Sequence, residues 1–236
     1  MEKMNNKDLK IIFTTAIWLL FFLQVVQSQE KKSFVGINAG YSVPIGKFSS
    51  TNLEDGSFAL NGFTAGLEGA WFFKPRLGVG GSAGLNLNPV YVSALGWAKV
   101  VEDPFLQDVT IRSDPYLTVT AMAGVYTVQP IYRNFYFTGK LLGGLLYGKT
   151  PYQLYKPQYF IVGPPYYEIT SAKDWKFSWK AGAGIQYNVS PYISLLGEAV
   201  LLYDKLSFNF QTASGIREDI HTISMINFIL GVRIIL

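Results

Sequence analysis

The feature that most constrains this chain is an alternation of apolar with small or polar side chains that continues for ten residues or more. In the segment 77–88, every large apolar side chain is at an odd position, and the even positions hold glycine, serine and asparagine. A period of two places alternate side chains on opposite faces of a β-strand. Ordinary strands average about 5–6 residues, whereas a tilted strand that crosses a bilayer needs about 9–11. The pattern therefore predicts strands long enough to cross a membrane.

The segments with this pattern, and the connections between them, predict a closed barrel. Eight segments show the alternation, with approximate limits 33–43, 60–73, 77–88, 115–129, 134–148, 175–189, 192–204 and 221–236. Short turns at 74–76, 130–133 and 190–191 alternate with long polar loops at 44–59, 89–114, 149–174 and 205–220. This arrangement is typical of outer-membrane barrels, and lipid requires the sheet to close. We predict an all-β, eight-stranded antiparallel up-and-down transmembrane β-barrel with short periplasmic turns and long extracellular loops.

Composition excludes several other classes of protein. Charged residues make up 15% of the chain, below the roughly 25% of an ordinary soluble domain. There is no cysteine and there is one histidine, so disulfide frameworks, thiolate metal sites and histidine clusters are excluded. The lysines and arginines are scattered, which makes the net charge of +4 a weak argument for nucleic acid. We expect no metal, no cofactor and no nucleic-acid partner.

The N-terminal residues predict export. Three lysines in the first ten residues precede an apolar run from Ile11 to Val26, and Val26-Gln27-Ser28 fits a cleavage site. This is the layout of a secretory signal peptide. The alternative is an uncleaved anchor, but the run is about four residues short of the ~20 needed to span. We expect a signal peptide at 1–28, a barrel domain at 29–236, and a location in the outer membrane of a two-membrane bacterium.

Aromatic residues cluster at the three short turns. The rings near these turns are Trp71, Phe72, Phe73, Tyr126, Tyr132, Phe135, Tyr136, Phe137, Tyr187 and Tyr192. Amphipathic rings favour the membrane–water interface, so the cluster indicates an aromatic girdle at one rim of the barrel. The alternative is that aromatic residues are simply favoured in strands.

On these features the chain resembles the small eight-stranded outer-membrane barrels of the OmpA/OmpX type and the broad family of outer membrane protein β-barrel domains. The last strand of such proteins often ends in a polar-x-Gly-x-x-apolar-x-aromatic signal read by the barrel-assembly machinery. Gly231, Ile234 and Leu236 fit that spacing, but the final residue is not aromatic and Ile229 occupies the polar position. The resemblance implies outer-membrane lipid and the assembly machinery as partners. The PorT-type barrels linked to protein secretion have a similar length, and no motif selects them.

The inward face of the barrel is the place where polar chemistry would lie. An eight-stranded barrel has an interior only wide enough for side chains, or for one small ligand. The alternation turns five charged residues inward: Glu68, Lys140, Lys180, Glu198 and Arg233. Isolated buried charges are costly, so we expect Glu198 beside Lys180 or Arg233, and Glu68 reaching Lys140 across the barrel. The favoured interpretation is a stabilising polar plug, and the alternative is an ion or proton path.

Two motifs suggest an enzyme, and neither has the required context. Gly80-Gly81-Ser82-Ala83-Gly84 matches the nucleophile-elbow pattern, but it lies inside a predicted strand rather than in a strand-to-helix turn. His221, with Glu218 and Asp219 nearby, is predicted to lie near the mouth of the barrel, where the last strand begins. A lone loop histidine is more often solvated than catalytic. We expect no catalytic residues and no enzymatic activity.

The third long loop is the candidate for surface recognition. It holds Tyr152, Tyr155, Tyr159, Tyr166 and Tyr167 among four prolines. Tyrosine offers rigid contact area, and proline limits the entropy lost on binding. The alternative is that these rings pack loop against loop, and the second loop, with Trp97 and Phe105, is expected to lie beside them. The predicted function is a non-enzymatic barrel with a plugged polar lumen, acting in envelope structure or in binding a surface ligand or protein partner. A narrow channel or transporter, or a secretion-associated barrel, is the alternative.

Overall fold

The computed structural model describes residues 33–212 and 215–236, with side chains described everywhere in these ranges except 210–217. The predicted signal peptide at 1–28 lies outside the described residues. The strands are β1 Phe34–Pro44, β2 Gly62–Lys74, β3 Leu77–Asn88, β4 Leu106–Ser113, β5 Tyr116–Tyr132, β6 Phe135–Lys149, β7 Gln153–Tyr159, β8 Tyr167–Ile169, β9 Lys173–Asn188, β10 Ile193–Thr212 and β11 Gly215–Ile235, with a helix α1 at Val92–Glu102. No helix in the described ranges has the length and apolarity needed to cross a membrane.

Eight of these strands form one closed antiparallel barrel, which confirms the predicted fold class. Their order around the barrel is β1-β11-β10-β9-β6-β5-β3-β2. The seam joins the first strand to the last, from Phe34 opposite Ile235 to Pro44 opposite Met225. β2–β3, β5–β6 and β9–β10 are joined by short turns at one end of the barrel. At the other end, long connections join β1–β2, β3–β5 and β6–β9, and β10 and β11 extend beyond the barrel as one hairpin. Closure leaves no free sheet edge within the barrel, as lipid requires.

The stagger of the strands sets the width of the lumen. The stagger is the shift along β1 after one complete circuit of the barrel from each residue to its partner on the next strand. A circuit that begins at Pro44 returns to β1 at Phe34, ten residues away. It passes through Met225, Leu202, Lys180, Leu142, Gly124, Gly80 and Ala70. Eight strands with a stagger of ten residues correspond to a strand tilt of about 40°. A barrel of this size has room in its interior for side chains and little else.

The outward face of the barrel is an apolar wall. Ile37, Leu67, Leu141 and Leu230 lie on different strands, and each is more than half exposed. A continuous apolar surface of this kind is not found on soluble monomers and is expected where acyl chains cover the protein. Near the short turns the exposed rings include Trp71, Tyr132, Phe135 and Tyr192, as expected for a girdle. Phe72 and Tyr126 differ from that expectation, because their rings are buried and face the lumen.

The prediction of a fourth long loop at 205–220 is wrong. β10 and β11 continue through this segment as one hairpin, paired in register above the barrel. The inward-facing apolar positions continue into this hairpin at Leu206, Phe208 and Ile223. These side chains are 0%, 0% and 2% exposed. Charged residues such as Lys205, Glu218 and Asp219 make the segment resemble a loop. His221 accordingly lies within β11, opposite Leu206, rather than at the mouth of the barrel where the last strand begins.

The second short turn is also shorter than predicted. Pro130 belongs to β5, where it lies opposite Tyr136, and the pairing shifts between Pro130 and Tyr132. Such an irregularity tolerates a residue that has no N–H to donate. The chain reverses at Arg133 and Asn134, and Arg133 has a φ of 45°.

The long loops fold into an ordered cap over the long-connection end of the barrel. We use "cap" for α1, β4, β7, β8 and the segment 45–60. β4, β7 and β8 form a separate three-stranded sheet, in which β4 from the second loop pairs with β7 from the third. α1 lies against β4 so closely that a Cβ added at Gly96 would be 3.3 Å from the carbonyl oxygen of Val109. The second and third loops therefore pack together, as expected.

Candidate functional site

Aromatic rings close the lumen at the short-turn end. Phe34 lies at ring-centroid distances of 6.3 Å from Phe72 and 5.9 Å from Tyr126. The Arg233 guanidinium carbon lies 4.1 Å from the centroid of the Phe34 ring. This geometry fits a cation–π contact, with Arg233 joining the aromatic layer to the charges above it.

Four of the five predicted lumen charges form one buried network. The Glu68 carboxylate accepts from Lys140 Nζ at 2.8 Å, from Arg233 Nη2 at 2.6 Å and from Arg233 Nε at 2.8 Å. Lys140 Nζ also donates to Glu198 Oε2 at 2.7 Å. Arg233 Nη1 donates to Gln186 Oε1 at 2.9 Å. The charged side chains are at most 3% exposed, so solvent does little to weaken these contacts.

Two glycines make room for this network. Gly36 lies between Arg233 and Glu68 in the register, because it is opposite both residues on its two neighbouring strands. A Cβ at Gly36 would be 2.8 Å from Arg233 Cγ. A Cβ at Gly182 would collide with the Glu198 carboxylate and approach Lys140. The small inward residues are therefore needed where the long charged side chains cross the lumen.

The expected partners of Glu198 are corrected by the structure. Glu198 pairs with Lys140, and it contacts neither Lys180 nor Arg233. Along β9, Glu198 lies opposite Gly184 whereas Leu202 lies opposite Lys180. Four residues of strand separate these positions by about 13 Å. Lys180 faces the same lumen but stands apart from the network.

A third layer, made of apolar side chains, closes the end of the lumen below the cap. Its members are each at most 2% exposed: Phe48, Leu146, Leu202, Leu206, Phe208, Ile223 and Met225. Phe48 comes from the segment 45–60, and its ring meets the edge of Tyr116 at 5.3 Å. The Tyr116 hydroxyl donates to the Ser57 carbonyl oxygen at 3.0 Å. The lumen is therefore aromatic at one end, ionic in the middle and apolar at the other end.

The five tyrosines of the third loop divide into buried and exposed groups. Tyr155 is 2% exposed, stacks on Tyr167 at 4.6 Å and 8°, and donates to Gln153 Oε1 at 2.6 Å. Burial raises the pKa of the Tyr155 hydroxyl above its ordinary value. Tyr159 and Tyr167 are half-buried against the same core. These three rings pack loop against loop, and only Tyr152 and Tyr166 present exposed rings.

The structure shows an exposed apolar tip on the cap that sequence analysis did not single out. Phe105, Phe160, Ile161 and Val162 are 62%, 69%, 69% and 100% exposed. The Phe160 N–H donates to the Phe105 carbonyl oxygen at 3.1 Å, which joins the two loops at this point. The opposite ends of β4 and β7 lead into the barrel, so the tip lies at the end of the cap sheet farthest from the barrel. The only sequence signal is an uncharged run from 159 to 166.

The histidine is part of the packing between the cap and the hairpin. His221 Nδ1 lies 3.1 Å from Ser57 Oγ, and its ring meets the edge of Phe208 at 5.6 Å. Ser57 is 4% exposed, so a substrate has no route to its hydroxyl. The nucleophile-like motif at 80–84 lies inside β3. In the described ranges, no group of three or more acidic or histidine side chains is placed to hold a metal ion.

With this geometry, the fold defines a membrane-spanning β-barrel of the outer-membrane type. No protein-family model matches the chain, and a search of curated proteins finds no match. Among solved structures, the chain is similar to Neisserial surface protein A, at 11% identity over 86% of this chain and 96% of that one, with a TM-score of 0.48. It is also similar to Ail, the attachment invasion locus protein of Yersinia pestis, at 18% identity over 88% and 100%, with a TM-score of 0.45. A major outer membrane protein from Thermus thermophilus matches at 13% identity over 88% and 100%, with a TM-score of 0.45. At these values the likeness is one of general shape.

Replacing Glu68 tests the central network. Glu68→Gln leaves Arg233 and Lys140 with one carboxylate between them, and we expect the free energy of unfolding to fall by about 3–5 kcal/mol. The matched control is Glu102→Gln, which removes an exposed ion pair of 2.8 Å with Lys99 on α1. That control should cost no more than about 1 kcal/mol. Urea unfolding in lipid vesicles measures both, and equal losses would contradict a network held together by Glu68.

Proposed function

We propose that the protein is a non-enzymatic barrel of the outer membrane, that its lumen does not conduct, and that its cap acts at the cell surface. In this proposal residues 1–28 are removed on export, the short turns face the periplasm and the cap faces outward. The observation that carries the proposal is the filling of the lumen by three successive layers of side chains. Among the alternatives, a channel is disfavoured by that filling.

The argument against conduction is geometric. An ion crossing the barrel would have to displace the rings of Phe34 and Phe72, then the network around Glu68, then the apolar layer that contains Phe48 and Leu206. The network is closed by contacts of 2.6–2.8 Å between buried charges. Opening it would leave charges unpaired at low dielectric, which is strongly unfavourable. A plugged barrel of this kind stabilises the envelope or presents its loops.

The cap supports a role in surface binding. Its interior shares one continuous apolar core with the top of the barrel, so the cap is held in place on its scaffold. The exposed apolar side chains at its tip, together with the exposed rings of Tyr152 and Tyr166, resemble the centre of a recognition surface. The proposed occupant is a surface ligand, a glycan or a protein.

In the membrane, outer-membrane lipid covers the apolar outer wall of the barrel. The C-terminal end of the chain presents Ile234 and Leu236 outward, where the assembly machinery would bind them.

Single-channel recording tests the closed lumen. Purified protein in planar bilayers should give no stepwise ion currents, because the described side chains leave no continuous polar path through the lumen. The double variant Phe48→Ala with Leu206→Ala removes part of the apolar layer. Its ion leak through the lumen is compared with that of the wild-type protein. Reproducible, ion-selective steps from the wild-type protein that disappear in Glu198→Ala would overturn the non-conducting proposal.

Surface labelling tests the orientation. A short epitope inserted after Gly163, between β7 and β8, should be labelled by antibody on intact cells. The matched control carries the same epitope between Ser190 and Pro191, in a short turn, and should be labelled only after the outer membrane is permeabilised. Folding of each variant is checked by faster migration of unheated protein on a gel. Labelling of the short-turn variant on intact cells would reverse the proposed topology.

A further inference from the structure

One lysine that faces the lumen has no carboxylate partner. The charged side chains of the central network and of the cavity beside it are Lys140 on β6, Glu68 on β2, Glu198 on β10, Arg233 on β11 and Lys180 on β9. Both carboxylates are engaged by Lys140 or Arg233, at 2.6–2.8 Å. Lys180 has no carboxylate within 4.0 Å among the residues the structure describes. Asp204 on β10 also lies on the inward face, two residues beyond Leu202, but it forms no ion pair with Lys180. The ammonium group of Lys180 is therefore unpaired.

Lys180 borders a small internal cavity whose lining includes several groups that can donate hydrogen bonds. The cavity has a volume of about 40 Å³. Its polar lining includes the hydroxyls of Thr64, Ser82 and Thr120 and the amides of Asn38, Asn86 and Asn227. Glu68 is the one carboxylate in the described lining, and its oxygens are already held by Lys140 and Arg233.

Two polar atoms of this lining have no partner within the protein. Ser82 Oγ and Asn227 Oδ1 are buried and make no hydrogen bond to any described group. Buried polar atoms are almost always satisfied, so the contents of the cavity must meet these two. The Ser82 hydroxyl can turn to donate, whereas the Asn227 oxygen needs a donor such as water.

From these observations we infer that the cavity binds a small monovalent anion of halide size, accompanied by water, on the ammonium group of Lys180. Coulomb attraction to the unpaired ammonium group of Lys180 is stronger at the low dielectric of the lumen than in water. Hydroxyl and amide donors complete the shell around the anion, and water satisfies Asn227. The volume accommodates one or a few water-sized species, which excludes larger polyatomic anions such as sulfate. The site requires the closed lumen but not the proposed role of the cap.

Anomalous diffraction tests the site in the full mature barrel. The protein is refolded from urea in sodium bromide, so that the anion can enter before the barrel closes, and is then crystallised in the same salt. Data at the bromine absorption edge should show a peak within hydrogen-bond distance of Lys180 Nζ. Density at this position without an anomalous signal, while surface bromides are visible, would show that water alone fills the cavity and would overturn the inference.

Anion-dependent stability gives an independent readout. The urea midpoint of the wild-type barrel should be higher in bromide or chloride than in gluconate at equal ionic strength, because gluconate is too large for the cavity. Lys180→Gln should remove most of that difference, and the control Lys173→Gln, which changes an exposed lysine on the same strand, should keep it. An equal anion effect in both variants would place the effect on the protein surface and contradict the site. If Lys180→Gln does not fold, the bromide peak in the wild-type protein still decides the question.

Discussion

The pairing of β1 with β11 is the contact on which the rest of the structure depends. Within a bilayer, an unpaired backbone N–H or C=O costs several kcal/mol, so a sheet must close on itself. The sheet closes where β1, the first strand of the barrel, pairs with β11, the last, from Phe34–Ile235 to Pro44–Met225. Once the sheet is closed, each strand has one face toward lipid and one toward a narrow lumen. The two-residue alternation follows directly from that division.

Closure also explains why the lumen is filled as it is. With eight strands and a stagger of ten residues, side chains from opposite walls meet at the axis. Glu68 reaches Arg233 across the glycine at position 36, and it reaches Lys140 from the far wall. These contacts join strands that share no backbone hydrogen bonds with one another. Losing one partner leaves a buried charge alone, so the network favours a single register of the whole barrel.

The parts of the fold that sequence predicts are those set by local periodicity. The inward positions of Glu68, Lys140 and Arg233 follow from counting odd and even residues along each strand. Their partners do not, because which charges meet across the lumen depends on the stagger and on where glycine leaves room, as Gly182 does for Glu198. Lys180 is left without a carboxylate for the same reason.

The cap is harder to predict because its burial comes from contacts between distant segments. Tyr155 appears as one of five equivalent loop tyrosines in the sequence, yet the pairing of β4 with β7 buries it and exposes Val162. The charged residues of the β10–β11 hairpin make it resemble a loop, although Leu206 and Phe208 continue the barrel alternation. In both segments the overall composition is polar, and it does not indicate which residues are buried by packing.

The most direct measurement of the central claim is amide hydrogen exchange of the barrel in lipid nanodiscs, read residue by residue. If the sheet is closed, amides on both sides of the seam, such as Ile37 and Val232, exchange as slowly as those in the middle of the wall, such as Val125 and Leu141. Cap residues beyond the barrel should exchange faster. Rapid exchange confined to β1 and β11 would show an open edge and would contradict the account.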